Sequence, residues 1–254
     1  MRAASLLNSG ADIQIKDHVF WTALDWANQY GHLQVVRLMI SRGAQLNHQD
    51  EFGHSALMTA ANNGHTNVVV ELVKAGAKLD IQNKNGDTAV IIAVERYYPV
   101  ILRELVRAGS DLNLQNNEGL TPLMIAARSW RTYITDITNI LLEGEHINLD
   151  IQEKNGDTAV IMAVERYIPA TLRELVRAGS DLNLQNNEGL TPLMIAARSW
   201  RIDITDITNI LLEGEHFNLD YQEKGAGWSA LHFFAERGDL ATTEALLKAG
   251  ANPH

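Results

Sequence analysis

The chain has 254 residues, of which 46% are hydrophobic and 20% are charged, a composition typical of ordinary globular proteins. It contains no cysteine, which excludes disulfides and thiolate metal sites, and its formal net charge of -10 disfavours binding to the phosphate backbone of nucleic acids. No apolar run approaches the ~20 residues of a membrane span, and the N-terminus lacks the long apolar core of a signal peptide, so we expect a cytoplasmic protein without a nucleic-acid or membrane partner.

The chain opens inside a partial repeat, residues 1–16. Ala3–Leu7 is typical of the end of a helix, and Gly10 follows as its stop, because glycine accepts the left-handed conformation just past a helix end. This repeat has no first helix, which leaves Leu6 and Leu7 with half of their packing partners. We expect this incomplete N-terminal end to fray or to self-associate with another chain.

The first complete repeat predicts two helices, at about residues 22–30 and 33–42. The hydroxyl of Thr22 can cap the first helix, and Gly43 ends the second. Later repeats keep this plan, with Ser or Thr at the capping position and glycine at the stop, and the last repeat is predicted to be a C-terminal cap. The complete repeats are residues 17–49, 50–82, 83–115, 116–152, 153–185, 186–222 and 223–254.

Residues 83–152 are repeated almost unchanged as residues 153–222. Each copy divides into a 33-residue and a 37-residue repeat, and the longer repeat carries its extra residues in the inter-helix loop and in the following arm. A period near 33 residues is typical of stacked arrays, in which we expect Leu105 and Leu175 to be buried between repeats. Over 70 aligned positions nine pairs differ: Asn83/Glu153, Ile92/Met162, Tyr98/Ile168, Val100/Ala170, Ile101/Thr171, Thr132/Ile202, Tyr133/Asp203, Ile147/Phe217 and Ile151/Tyr221.

Short sequence signatures recur at fixed places in these repeats. Gly119–Met124 reads G-L-T-P-L-M, Gly64-His65 forms an inter-helix turn, and Gly76-Ala77 follows a helix end. The repeats resemble ankyrin repeats over about residues 17–252. The resemblance implies an all-α fold, a solenoid of helix-turn-helix repeats joined by short β-hairpin or turn arms.

The sequence departs from the family pattern where glycine is expected. Phe20 replaces the turn glycine of the first complete repeat, and other residues replace the Gly-His of the inter-helix loop at four places. We expect Trp130 and Trp200 to be packing residues that fill the space of the absent glycine. The four loop replacements are Tyr97-Tyr98, Trp130-Arg131, Tyr167-Ile168 and Trp200-Arg201.

No arrangement of residues in the sequence indicates catalysis. There is no P-loop and no H-E-x-x-H pattern, and the nine histidines are scattered, with His32 and His65 in structural loop positions. A metal site requires three or four converging ligands. We therefore expect no enzyme activity, no metal and no cofactor. The carboxylates that recur in both copies are interpreted as a solvated face: Asp87, Glu95, Asp157 and Glu165.

The resemblance places partner binding on the concave face, which arm positions and the ends of the first helices line. Aromatic and Arg residues are typical interface anchors. Trp26 is interpreted as core, whereas Trp21 and Tyr30 are either interface residues or a shield for the N-terminal layer. The candidate partner-binding residues are Trp21, Tyr30, Phe52, Asn62, Asn63, Glu95, Arg96, Arg128, Ser129, Glu165, Arg166, Arg198, Ser199 and Trp228.

The resemblance implies a non-enzymatic scaffold that binds a protein or peptide. Two alternatives stay open: an engineered or recently duplicated structural array without an evolved ligand, and the targeting segment of a larger enzyme. The duplication adds an expectation about valency. Glu95, Arg96, Arg128 and Ser129 should present the same local surface as their four equivalents in the second copy, so that an array whose surface binds a short segment binds two, or one target that carries the motif twice.

Overall fold

The computed structural model of the chain describes residues 12–131, 134–199, 201, 203–214 and 218–252. The expectations for Leu6, Leu7 and Trp200 lie outside these residues. The chain forms two compact units. The first unit contains the residues up to Pro122 together with residues 143–147, and the second contains residues 123–142 and those from Asn148 onward.

The described residues of the first unit form six helices arranged as three pairs. Within each pair the two helices pack on each other, and helices two places apart also pack, so that α1, α3 and α5 form one layer and α2, α4 and α6 a second. The six helices are α1 (Ala23–Gln29), α2 (Leu33–Ser41), α3 (Ala56–Asn62), α4 (Thr66–Lys74), α5 (Ala89–Arg96) and α6 (Pro99–Arg107).

The second unit repeats this two-layer arrangement. α9, α11 and α13 pack in one layer, and α8, α10 and α12 pack in the other. Pro122, the first residue of α7, belongs to the first unit. The helices are α7 (Pro122–Ala127), α8 (Ile134–Leu142), α9 (Ala159–Arg166), α10 (Pro169–Arg177), α11 (Pro192–Arg198), α12 (Thr205–Leu212), α13 (Ala230–Arg237) and α14 (Leu240–Lys248).

The prediction of an all-α fold of helix pairs with short arms is confirmed. Throughout the described part of the chain the arms are turns rather than strands, and one isolated antiparallel bridge joins Gln49 to Ser55. As predicted, the longer repeat has the longer connections. Residues 128–133 join α7 to α8, whereas residues 97–98 join α5 to α6.

We call the first helix of each pair the inner helix and the second the outer helix. Hydroxyl side chains cap inner helices at their N-termini, as the sequence predicts. The Thr22 hydroxyl accepts a hydrogen bond from the Asp25 backbone N–H at 3.3 Å, and the Asp25 carboxylate accepts one from the Thr22 backbone N–H at 2.8 Å. Thr88 and Thr158 cap α5 and α9 in the same way, both at 3.3 Å. Each cap satisfies a backbone donor that the first turn of a helix leaves without a partner.

Apolar side chains fill the space between the helix layers. Leu72, Leu105 and Leu175 are all fully buried, which confirms the prediction for the last two. The inner helices carry small residues such as Ala93 and Ala163, both fully buried, and these let adjacent helices approach closely.

Three aromatic residues keep a backbone conformation that favours glycine. Phe20, Tyr97 and Tyr167 have φ angles of 62°, 60° and 58°, and the two tyrosines end α5 and α9. A left-handed conformation costs a residue with a side chain about 1–2 kcal/mol. The departures from the family pattern therefore change the side chain and keep the turn.

Two tryptophans lie on the surface, contrary to expectation. Trp26 is 43% exposed, although Ile92 and Met162 at the same repeat position are buried. Trp130 is 90% exposed and does not pack in place of a glycine. α7 ends at Ala127, so the Trp130 ring no longer lies on the helix face that meets the core.

Glutamine side chains hold neighbouring arms together. In the first unit the Gln82 amide donates to the carbonyl oxygens of Gly86 at 2.7 Å and Gln115 at 2.9 Å. In the second unit Gln152 makes the two equivalent bonds at the same distances. These bonds fix the register of the arms, whose turns carry the polar residues of the candidate site.

Candidate functional site

Four aromatic rings form a row at the start of the first unit. Trp21 meets Trp26 edge-on, with ring centroids 4.8 Å apart, Trp26 stacks on Tyr30 at 6.0 Å, and Tyr30 stacks on His32 at 6.0 Å. The Trp21 indole N–H donates to the Asp50 carboxylate at 3.0 Å, which fixes one end of the row. The predicted residues Trp21 and Tyr30 are thus brought near each other, with Trp26 between them.

Phe52 and Trp228 lie apart from that row. Phe52 is 56% exposed, and its ring is tilted towards His54 at 6.2 Å. Trp228, in the second unit, is half-buried and meets Phe233 edge-on at 5.2 Å. Each ring therefore contacts its own arm or helix.

Predicted polar residues of the first unit bond to one another at the ends of inner helices. The Arg96 guanidinium donates to the Asn62 side-chain oxygen at 2.9 Å. Asn63 and Gln29 exchange two amide hydrogen bonds, at 2.9 Å and 3.3 Å. These contacts link successive repeats, because each bond joins residues 34 positions apart in the sequence.

The two copies of the predicted surface do not have the same surroundings. Glu95 and Arg96 belong to the first unit, and Arg128 and Ser129 to the second, whereas all four residues of the second copy belong to the second unit. Asn62 lies in the repeat before Arg96, and the equivalent residue in the repeat before Arg166 is Arg128. The repeats that precede the two copies therefore differ, and the expectation of identical local surfaces stays a prediction.

A groove of about 500 Å³ in the second unit brings three predicted residues together. Glu165, Arg198 and Ser199, at the ends of two helices, line it together with residues of two successive arms. We call it the second-unit groove. Its lining residues are Asn155, Asp157, Glu165, Asn186, Asn187, Glu188, Leu190, Ile195, Arg198 and Ser199.

Hydrogen bonds between the two arms build the wall of the groove. The Asn186 amide donates to the Asp157 carboxylate at 2.9 Å, and the Asn187 backbone N–H donates to the Asn155 carbonyl at 2.8 Å. Across the groove, Arg198 forms an ion pair with Glu188 at 3.0 Å. Both members of that pair are largely exposed, so the pair contributes little stability.

Two carboxylates of the groove, Asp157 and Glu165, are harder to ionise than in water. Desolvation raises the pKa of Asp157 against the effect of the Asn186 hydrogen bond, and the negative charges of Glu153 and Glu188 raise it further. Desolvation also raises the pKa of Glu165, with a further contribution from the Asp157 charge. The groove therefore combines partial dehydration with an excess of negative charge.

Arg237 fixes the end of the helix that carries Arg198 and Ser199. Its guanidinium donates to the carbonyl oxygens of Ser199 at 2.6 Å and Ala197 at 3.4 Å, and also to that of Arg201. The last carbonyls of a helix have no partner within it, and a cation there is favourable. The last repeat thus holds one wall of the groove in place.

Sequence reasoning missed the arm residues of the groove. The interpretation of the repeated carboxylates as a solvated face is wrong for Asp87, which is buried and accepts a hydrogen bond from Asn116 at 3.0 Å. It is wrong in the same way for Asp157, which is half-buried. A signal was present, because both copies carry this Asp and Asn pair 29 residues apart.

Within the described ranges, no three His, Asp or Glu side chains converge in a way that could hold a metal ion. None of the helices in the described part of the chain is both long and apolar enough to cross a membrane.

Comparison with known families and proteins agrees with the repeat pattern. A family model of ankyrin repeats in three copies matches residues 3–83, 57–149 and 131–221, and a single ankyrin-repeat model matches residues 226–254. The structure is similar to the ankyrin repeat domain of Bcl-3, described as a unique member of the IkappaB protein family. The TM-score is 0.74 at 25% identity, over 84% of this chain and 93% of that chain.

A curated relative matches a shorter part of the chain. The sequence is 37% identical over 83 residues to a putative E3 ubiquitin-protein ligase, XBAT35, from Arabidopsis thaliana. The match covers 32% of this chain and spans 17% of the relative's length.

Proposed function

Because the chain belongs to the ankyrin-repeat family, we propose that it is a non-enzymatic interaction module that binds a protein or peptide segment in the second-unit groove. Ankyrin repeats are protein–protein interaction modules. The fold alone does not identify the binding surface, which has to be argued from the site.

The second-unit groove carries this proposal. Its volume of about 500 Å³ falls in the range of binding clefts. Leu190 and Ile195 supply an apolar floor, while amides and charged groups surround it. Glu165, Arg198 and Ser199, which the sequence nominates independently as interface residues, all line it.

Peptide selection tests the proposal. A random dodecapeptide library displayed on phage is panned against the full chain, and the tightest peptide is titrated by fluorescence anisotropy. We expect saturable binding that falls about tenfold in Glu165→Ala. Glu95→Ala is the matched control, because Glu95 is the equivalent of Glu165 in the first copy, and it should leave the affinity unchanged.

Two results of this selection would contradict the proposal. The first is the absence of any saturable peptide, which would favour a structural array without a ligand. The second is an equal loss of affinity in Glu95→Ala and Glu165→Ala, which would place binding outside the second-unit groove.

The relative from Arabidopsis thaliana favours a second candidate function. That relative is a putative E3 ubiquitin-protein ligase, and the matched 83 residues are 17% of its length. By analogy, the present array would recruit a target for a catalytic domain on the same polypeptide. Sequencing the complete transcript tests this: an open reading frame that encodes only ankyrin repeats would contradict it.

A further inference from the structure

We propose that the segment bound in the second-unit groove is cationic, and that Glu153 is the residue that makes this groove select a Lys or Arg side chain. The inference rests on the proposed function, since it names the chemistry of the partner for the same site. It is drawn from the shape of the groove, the balance of charge around it and the one charge difference between the two copies of the short repeat.

The shape of the groove suits a long side chain with a charged end. Leu190 and Ile195 are buried beneath it and give an apolar surface, over which the methylene groups of Lys or Arg can pack. Asn155 and Asn187 stand at its polar edge, where the Asn187 amide donates to the Lys154 carbonyl oxygen at 2.9 Å and the Asn155 amide to the Glu153 carboxylate at 3.4 Å.

Negative charge dominates the lining of the groove. The carboxylates of Asp157, Glu165 and Glu188 line it against one guanidinium, that of Arg198, which forms an ion pair with Glu188. Outside the lining, Glu153 adds a negative charge that acts on Asp157 and Glu165, and Arg166 adds a positive charge near Glu165. Lys154 and Lys224 also lie outside the lining.

Among the described residues, two of the carboxylates form no ion pair of their own. Asp157 accepts a hydrogen bond from the neutral Asn186 amide, and no hydrogen bond to a described residue is made by Glu165. Asp157 is also half-buried, which costs free energy for an ionised group unless a cation lies close, whereas Glu165 is exposed at the groove and open to a partner. A cationic side chain from a partner would supply that charge at the moment of binding.

Glu153 adds charge without changing the turn. Its carboxylate accepts hydrogen bonds from the backbone N–H groups of Asn155 at 2.7 Å and Asp157 at 3.2 Å. Asn83, its equivalent, makes the same two bonds to Asn85 and Asp87, both at 2.9 Å. The exchange of Asn for Glu is therefore neutral for the backbone, and its effect is a negative charge beside Asp157 and Glu165.

The test uses the two copies as each other's control. The tightest dodecapeptide from the phage selection is resynthesised with each Lys or Arg replaced by Gln, and all versions are titrated against the full chain. We expect at least one replacement to weaken binding about tenfold or more. The affinity of the original peptide should also fall as NaCl is raised from 0.05 to 0.5 M, because salt screens exposed charges.

The charge swap then assigns the effect to Glu153. Glu153→Asn should lower the affinity for the original peptide by about two- to fivefold. It should leave unchanged the affinity for a peptide in which every Lys and Arg is replaced by Gln. Asn83→Glu, the reverse change in the first copy, should alter neither affinity. Glu165→Gln, which removes a charge with little change in shape, provides a second reading and should also weaken the original peptide selectively.

The outcomes separate this inference from the proposed function. The inference of a cationic partner would be wrong if peptides without Lys or Arg bound saturably in the second-unit groove. It would also be wrong if binding were insensitive to Glu153→Asn and to salt. Either result would still agree with an interaction module. A failure to select any saturable peptide would overturn both.

Discussion

The two copies of the short repeat have the same backbone conformation and different side-chain environments. They are residues 83–115 in the first unit and residues 153–185 in the second. α5 and α9 have equivalent bounds and equal N-cap distances, and both end at a left-handed tyrosine. Their five sequence differences leave this frame unchanged. Local signals therefore determine the repeat, whereas neighbours and single substitutions determine what it can bind.

The copies differ most clearly in the core. Ile101 is 1% exposed in α6, and at the equivalent place in α10 Thr171 is fully buried with a hydroxyl that has no hydrogen-bond partner among the described residues. A buried hydroxyl without a partner costs free energy that a methyl group does not. The second copy thus has a less stable outer helix and, through Glu153, a more negative arm.

The largest expected effect comes from the shared core. Leu105→Ala and Leu175→Ala each remove a fully buried side chain and should lower the free energy of unfolding by about 2–5 kcal/mol. Urea denaturation of the full chain, followed by circular dichroism, measures this. An unchanged midpoint for either variant would show that the equivalence of the two cores is incorrect.

A smaller effect should come from exchanging the differing core residues. Thr171→Ile should stabilise the chain by about 1–3 kcal/mol, because it removes the unpaired hydroxyl and adds buried apolar surface. Ile101→Thr should destabilise it by a similar amount. Measured urea midpoints that move in the same direction for both variants would refute the explanation.

The smallest effect should appear in the pH dependence of stability. Burial raises the pKa of Asp157, so the folded state binds a proton more readily than the unfolded state, and this contribution is present below the ordinary pKa of 3.8 and lost as pH rises through the folded-state pKa. Asp157→Asn should therefore raise the Tm at pH 7 by about 1–2 °C. Thermal scans should show this gain shrinking towards pH 4.

Asp203 gives a control of opposite sign. The hydrogen bond from the Thr205 backbone lowers the pKa of Asp203, so its contribution is present above pH 3.8 and lost as pH falls through the folded-state pKa. Asp203→Asn should lower the Tm at pH 7, and its difference from the unmodified chain should shrink in acid. If both variants moved the Tm in the same direction at pH 7, the assignment of these pH effects would fail.

The sequence was sufficient for the repeat architecture. The hydroxyl of Thr88, the stop at Gly109 and the apolar spacing around Leu105 are local signals, and the helices begin and end accordingly. Trp26 and Trp130 were misassigned because burial depends on what covers a position, which spacing within one repeat does not reveal. The exposure of a residue at the edge of an array is a property of its neighbours.

The candidate site was predicted in part for the same reason. Glu165, Arg198 and Ser199 were nominated from their repeat positions, and they do line one groove. Asp157 and Asn186 were missed because their bond joins two repeats and becomes visible only when the arms are placed side by side. The charge of Glu153 acts on side chains that come together in the folded repeat, so spacing in the sequence does not reveal its effect.

Isothermal titration of the tightest selected dodecapeptide into the full chain tests the central claim most directly. The claim is that the second copy binds a segment and that the near-identical first copy does not. The account predicts one peptide per chain, and it predicts loss of that single site in a variant carrying both Glu165→Gln and Asp157→Asn. Two peptides per chain, or one site that survives both substitutions, would contradict it.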